Sequence, residues 1–178
     1  VYKAGEQDDL SIELWDAVLS SCSAPVYFPP NNINNRYLSI DGGLWANNPS
    51  LVCLTEGLHH FKKGLHEINV LSLGTGQQKI DFTFEEDIDW GLKQWLPFQL
   101  PNLKVTPKLL DLALHLSSES VSYHCQLILG ERYLRLNADL EKEMPFDDIQ
   151  FIEELITLGT EVYEREYVNI KNFIEKQQ

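Results

Sequence analysis

Two short apolar runs in this chain end on glycine: Tyr37-Leu38-Ser39-Ile40 runs into Asp41-Gly42-Gly43, and Ile68 to Leu73 runs into Gly74-Thr75-Gly76. Short runs of this kind read as strands, and each stops where glycine admits backbone angles closed to other residues. Between them, Leu51 to Phe61 alternates apolar and polar residues at helical period. Strand, glycine turn, helix, strand and glycine turn is the grammar of an α/β fold. It predicts a sharp turn presenting Asp41 at a strand's end, where open α/β sheets keep their working residues.

The flanks extend this pattern. From Ser11, a serine suited to capping, Ile12, Trp15, Val18 and Leu19 recur at helical spacing until Pro25 stops them. The small residues Ser20 to Ala24, then Tyr27, Phe28, Pro29 and Pro30, suit close packing of backbone against a neighbour followed by an extended exit. Asn31 to Asn35 reads as a polar turn. Residues 81 to 103 are the least regular, an acidic cluster from Glu85 to Asp89 followed by Trp90, Trp95, Leu96, Phe98 and Leu100. Aromatics in such a loop read first as cover for a core and second as a lid or lipid-contacting patch. Thr106 and Pro107 start a long helix carrying Leu109, Leu110, Ala113, Leu116 and Leu127 to near Gly130. Tyr133 to Leu136 reads as a strand. After Pro145, Asp147 and Asp148 open a last helix with Ile149, Ile152, Ile156, Tyr163, Tyr167, Ile170 and Ile174 on one stripe. No internal repeat or low-complexity tract interrupts the chain.

Composition narrows what this α/β chain can do. Of its 178 residues 43% are hydrophobic and 23% charged, the composition of a packed core rather than a disordered tail. Fourteen basic against 27 acidic side chains give a net charge of −13, which argues against a bare electrostatic grip on a nucleic-acid polymer. No run approaches the roughly 20 apolar residues that span a bilayer, and the opening residues lack a signal peptide's pattern, so a cytoplasmic location is expected. Cys22, Cys53 and Cys125 have no zinc-site spacing and read as buried thiols in a reducing compartment. The neighbours His59 and His60 would point in different directions on a helix, so no metal is assigned, and no cofactor. Gly74-Thr75-Gly76 lacks the third glycine and the clear following helix of a dinucleotide fingerprint, and reads as a simple turn. The chain opens on Val1 and its one methionine is Met144, so it reads as a piece of a longer or matured protein.

An Asp-Gly-Gly turn taken alone is more often an aspartate bonding its own backbone amides than a catalytic group. Its surroundings change that reading. Ser21-Cys22-Ser23-Ala24-Pro25-Val26-Tyr27-Phe28-Pro29-Pro30, then Ile40-Asp41-Gly42-Gly43-Leu44-Trp45-Ala46-Asn47-Asn48-Pro49, then Val70-Leu71-Ser72-Leu73-Gly74-Thr75-Gly76 closely resemble, in order and separation, the latter half of patatin-like phospholipases. The resemblance runs almost end to end, weakening between Gln77 and Leu103. It implies a three-layer α/β/α patatin-like fold, of which residues 1–178 form only the C-terminal part of a single domain, helix-rich with a few short strands. It implies hydrolysis of acyl esters by a serine and an aspartate without histidine, with Asp41 as the catalytic aspartate. The serine needs a partner to accept its proton, and a carboxylate serves only if its site raises a pKa ordinarily about 3.9; burial at the turn is expected to do so. Gly42 and Gly43 would let the backbone approach the nucleophile's turn, while Asn47, Asn48 and Pro49 shape the descent into the next helix. The implied partner is a phospholipid or other acyl-ester lipid at a membrane surface, met through apolar loops, since tight recruitment by anionic headgroups needs basic clusters.

The chain departs from the family in one respect. The G-x-S-x-G elbow and glycine-rich oxyanion loop, which in the family lie upstream of the Asp-Gly-Gly block, occur nowhere in the 178 residues. Ser20, Ser21, Ser23, Ser117, Ser118 and Ser120 lack a strand-turn-helix elbow with glycine neighbours and read as structural. The chain alone is therefore expected to be inactive, contributing one half of a dyad. The alternative is a non-catalytic patatin-fold binding or regulatory module, distinguished by a G-x-A-x-G, or no such segment, upstream. Some bacterial members of the family are switched on by small nucleotides, so the resemblance leaves a small-nucleotide activator open. Self-association through uncovered strand edges is also expected.

Overall fold

The structure is a computed structural model that describes residues 12–25, 27–35, 37–78, 108–142, 144 and 148–176. The aromatic segment 81–103 and the capping residues Ser11, Thr106, Pro107 and Asp147 lie outside the described residues. The described residues divide into two compact units at Asn47 and Asn48.

The first unit begins with helix α1, Leu14–Ser21, preceded by Glu13, whose side chain makes no capping bond. Its continuation differs from the expected polar turn. Asn31–Ile33 is a strand, β1, paired antiparallel with β2, Tyr37–Ser39, in the register Asn31↔Ser39 and Ile33↔Tyr37. Within the connection between the strands, Asn34 and Asn35 sit at φ 51° and 56°. Asparagine tolerates that left-handed region better than most residues, and hairpin connections require it. The Asn32 Oδ1 accepts from the Asn35 amide at 3.1 Å, and its Nδ2 donates to the Asn35 Oδ1 at 2.8 Å. Four asparagines in five residues thus build a hairpin. Ile33 is buried, and Asn31 fastens the hairpin to α1 by donating to the Asp16 carbonyl, the Asp16 Oδ1 and the Ser20 Oγ at 3.2, 3.2 and 3.0 Å. A short helix, α2, covers Gly43–Ala46.

The second unit holds the parallel pairing that the α/β pattern requires. Helix α3 is Ser50–His59, strand β3 is Val70–Leu73, helix α4 is Lys108–Leu129 and strand β5 is Tyr133–Leu136. β3 and β5 pair in parallel from Val70↔Tyr133 to Leu73↔Leu136. Leu54 of α3, Cys125 and Leu129 of α4 and Tyr133 of β5 form the buried cluster, flanked by Leu51, Leu58, Ile68, Val70 and Val121.

Beyond Leu73 the pairing resumes as β4, Gln77–Gln78, against β6, Asp139–Leu140, with Gln77 opposite Asp139. Three residues therefore separate the two ladders on one strand and two on the other, which makes Gly74-Thr75-Gly76 a bulge in a parallel pair. Asn137 pins it: its Oδ1 accepts from the Gly76 amide at 3.0 Å, while Gly74 N donates to the Leu136 carbonyl at 2.8 Å. Gly76 sits at φ +100°, and a Cβ on Gly74 would overlap the Asn137 side chain.

The last helix, α5, spans Ile152–Glu175 and follows a helical turn capped by Asp148, whose Oδ1 accepts from the Gln150 amide at 3.0 Å. Its inward face is not the stripe expected from Ile149 to Ile174. Phe173 is buried, whereas Ile152, Ile156, Tyr163, Tyr167 and Ile174 are each about half exposed or more. Of the expected stripe Ile170 is turned inward, and the other inward apolar residues, Leu158, Val162 and Phe173, lie about a quarter turn or more from that stripe at 100° per residue. Two neighbouring stripes of α5 are apolar, so periodicity alone had two solutions.

Candidate functional site

Asp41 follows β2 directly and is half-buried. Its backbone is held by the small-residue run after α1: Asp41 N donates to the Ser23 carbonyl at 3.0 Å, and Gly42 N to the Ser21 carbonyl at 3.3 Å. That is the close backbone packing expected of Ser20 to Ala24. Ser23 is held in turn by its own hydroxyl, which donates to the Leu19 carbonyl at 2.7 Å. The carboxylate turns forward, one oxygen accepting from the Gly43 amide at the start of α2. Trp45 N and Ala46 N then donate to the Gly42 carbonyl at 3.0 and 2.8 Å, closing the turn.

The glycines differ from expectation in their reason. Gly42 sits at φ −66°, ψ −19°, ordinary helical backbone, and the glycines at positive φ are Gly76 and Gly130 among the described residues. What Gly43 supplies is space, because a Cβ there would lie 2.7 Å from Asp41 Oδ1. A Cβ on Gly42 would meet the Ser21 Oγ at 3.5 Å, an ordinary contact. Asp41, Gly42 and Gly43 therefore form one turn, in which the second glycine leaves room for the carboxylate to reach its amide.

Asn48 belongs to the second unit and is buried, 1% exposed. Its Oδ1 accepts from the Ser50 amide at 3.1 Å and the Ser50 hydroxyl at 2.6 Å, so it caps the start of α3 in place of Pro49. Its Nδ2 donates to Ser122 Oγ at 3.0 Å and the Ser118 carbonyl at 3.3 Å on α4. Ser50 Oγ reaches Ser72 Oγ of β3 at 2.8 Å, and Arg135 of β5 donates to the same Ser72 oxygen at 2.8 Å. Burial pushes the Tyr133 phenol up, but hydrogen bonding with Ser122, Ser50, Asn48 and Ser72 outweighs it and holds the group below the usual tyrosine value. This network ties α3, α4, β3 and β5 together. Of it, Asn48 and, as a structural serine, Ser118 were anticipated; the further signal in the sequence is Ser72, polar inside the apolar run Val70 to Leu73.

The remaining expected residues are dispersed. Ser118 is buried with its carbonyl on Asn48, and Ser120 is exposed beside His124. Of the three thiols expected to be buried, only Cys125 is, since Cys22, just past the end of α1, and Cys53 of α3 are exposed. Burial, with Cys53 nearby as a lesser cause, raises the Cys125 thiol above its ordinary value. No helix among the described residues is long and apolar enough to cross a membrane.

Comparison with known proteins bears on the turn at Asp41. The family model described as patatin-like phospholipase matches residues 1–54, a span that contains it. Patatin-like protein 4 of Arabidopsis thaliana is 30% identical over 98% of this chain and 46% of its own length. Patatin-like protein 1 of the same plant is 25% identical over 92% of this chain and 49% of its own length. The 85/88 kDa calcium-independent phospholipase A2 of Rattus norvegicus is 40% identical over 36% of this chain and 8% of its own length. The chain thus belongs to the patatin-like phospholipase family, with the α/β fold which that implies. It spans about half the length of these two plant relatives.

Proposed function

We propose that this chain is the carboxyl-proximal part of a lipid acyl hydrolase and supplies the aspartate of a Ser-Asp dyad. The observation that carries the reading is Asp41 itself, fixed at the end of β2 by two backbone bonds from Asp41 and Gly42 to the Ser21-to-Ser23 run, inside the span matched by the family model. In this reading the three-layer α/β/α frame is completed by upstream sequence carrying a G-x-S-x-G serine and an oxyanion loop.

The chemistry follows from what a carboxylate can do. The serine oxygen bonds to the ester carbonyl carbon as its proton passes to the Asp41 carboxylate. When the tetrahedral intermediate collapses, the carbon–oxygen bond to the alcohol breaks and Asp41 returns the proton to the leaving alcohol. Water then attacks the acyl-serine, again giving its proton to Asp41, and the fatty acid leaves as the serine oxygen regains a proton. Asp41 thus serves as base and acid in both halves. Gly43 leaves the carboxylate room, and its amide keeps one carboxylate oxygen oriented while the other is used.

The substrate class is a phospholipid or related acyl ester at a membrane surface. A net charge of −13 favours zwitterionic or neutral interfaces over anionic ones. The test compares fatty-acid release from phosphatidylcholine vesicles by the full-length parent, by its Asp41→Asn variant and by the 178-residue chain. Release by the parent alone, with the variant folded, supports the dyad. Equal release by parent and variant removes Asp41 from the mechanism, and activity in the 178-residue chain refutes the need for an upstream serine.

A further inference from the structure

Within the second unit a cleft of about 440 Å³ opens over the glycine bulge, between the two parallel ladders and α5. The volume falls in the range of small-molecule sites. Its walls are Leu73, Leu136 and Leu140 on the strand side and Leu155, Leu158 and Val162 on the helix. None of the described lining residues is an aspartate, glutamate, lysine, arginine or histidine.

Gly159 gives the cleft a feature that packing does not explain. It lies in the interior of a 24-residue helix, where glycine is among the least favourable residues, and it lines the cleft. A Cβ there would meet nothing within 4 Å, so neither a close neighbour nor an unusual backbone angle calls for glycine. The missing side chain instead keeps volume open in an apolar wall. The Asn137 oxygen already accepts from Gly76, so the polar side-chain groups of the described lining are its amide nitrogen and the hydroxyls of Thr75 and Tyr163, few against its apolar residues.

We infer that this cleft binds a single hydrocarbon chain, the acyl chain of a zwitterionic or neutral lipid, and that Gly159 sets its depth. Charge decides between occupants of similar shape. Described walls without a carboxylate or a basic side chain, on a chain of net charge −13, suit an apolar body and disfavour an acidic peptide or polyanion. The inference shares only the lipid class with the function proposed above. Binding of the chain needs neither Asp41 nor a serine, so either reading can fail while the other stands.

The test is equilibrium binding of two radiolabelled probes to the purified protein, each below its micellar concentration: hexadecyl lysophosphatidylcholine, whose ether link resists hydrolysis, and palmitate. The expected result is saturable one-to-one binding of the ether lipid. Gly159→Leu should weaken it about tenfold or more, equivalent to about 1.4 kcal/mol, with an unchanged or higher melting temperature. Gly159→Ala, whose methyl has room, covers the event that leucine disturbs folding; it should melt higher and weaken binding less. Palmitate binding as tightly as the ether lipid, with the same response to Gly159→Leu, supports the site and makes the bare chain its ligand; weaker palmitate binding makes the ester lipid its source. Absence of saturable binding by both probes, or binding that a folded Gly159→Leu leaves unchanged, overturns the inference.

Discussion

The turn at Asp41 separates two glycines that look equivalent in the sequence. A methyl on Gly43 would press on the Asp41 carboxylate at 2.7 Å, whereas one on Gly42 has an ordinary neighbour and an ordinary backbone angle. Gly43→Ala is therefore expected to displace the carboxylate and cost its bond to the Gly43 amide, about 0.5–1.5 kcal/mol, while Gly42→Ala stays within about 0.5 kcal/mol. Urea unfolding of the two variants measures this, and equal effects would contradict the geometry. The thiols give a second residue-scale expectation. Cys22 and Cys53 are exposed and Cys125 is buried with its thiol held protonated beyond the ordinary range. A thiol reagent at neutral pH should modify two cysteines in the native protein and the third only on unfolding. Fast labelling of all three would contradict the placement of Cys125 between α3 and β5.

Among the elements, those with a strong period or a glycine stop were legible: α1, α3, α4, β3 and β5 all lie within about three residues of expectation wherever they are described. The hairpin was hidden because asparagine usually marks a turn, and here Asn31 and Asn32 pair in β1 while Asn34 and Asn35 take the left-handed angles of the connection. The glycine bulge was half legible. Gly74-Thr75-Gly76 was recognised as a turn, but its role in shifting the register between two parallel ladders depends on Asn137, 61 residues beyond Gly76. Removing that side chain in Asn137→Ala strips the Gly76 amide of its acceptor and should cost about 1 kcal/mol in urea unfolding; an unchanged midpoint would leave the bulge without its pin. The buried cap at Asn48 reaches further, since its amide contacts both α3 and α4. Asn48→Ala leaves several buried groups unsatisfied, so a loss of about 2–3 kcal/mol is expected, readable as a lower thermal midpoint. For α5, the burial of Phe173 and partial burial of Leu158 and Val162, with Ile170 alone of the expected stripe beside them, depends on which neighbour the helix meets, and a helical period does not contain that.

At the scale of the whole molecule the account rests on one carboxylate in a chain about half as long as its plant relatives. Family membership supplies the α/β frame, and in the proposed reading a net charge of −13 favours uncharged lipid interfaces. The catalytic claim depends on Asp41 accepting a proton from a serine outside these 178 residues. A fluorophosphonate reads that step directly, because it reacts with an activated serine whichever lipid the enzyme prefers. The measurement is the rate at which the reagent labels the full-length parent and its folded Asp41→Asn variant. The account predicts labelling of one serine in the parent, slowed about 10²- to 10⁴-fold in the variant, the range a positioned general base supplies. Labelling of both proteins at the same rate would contradict it.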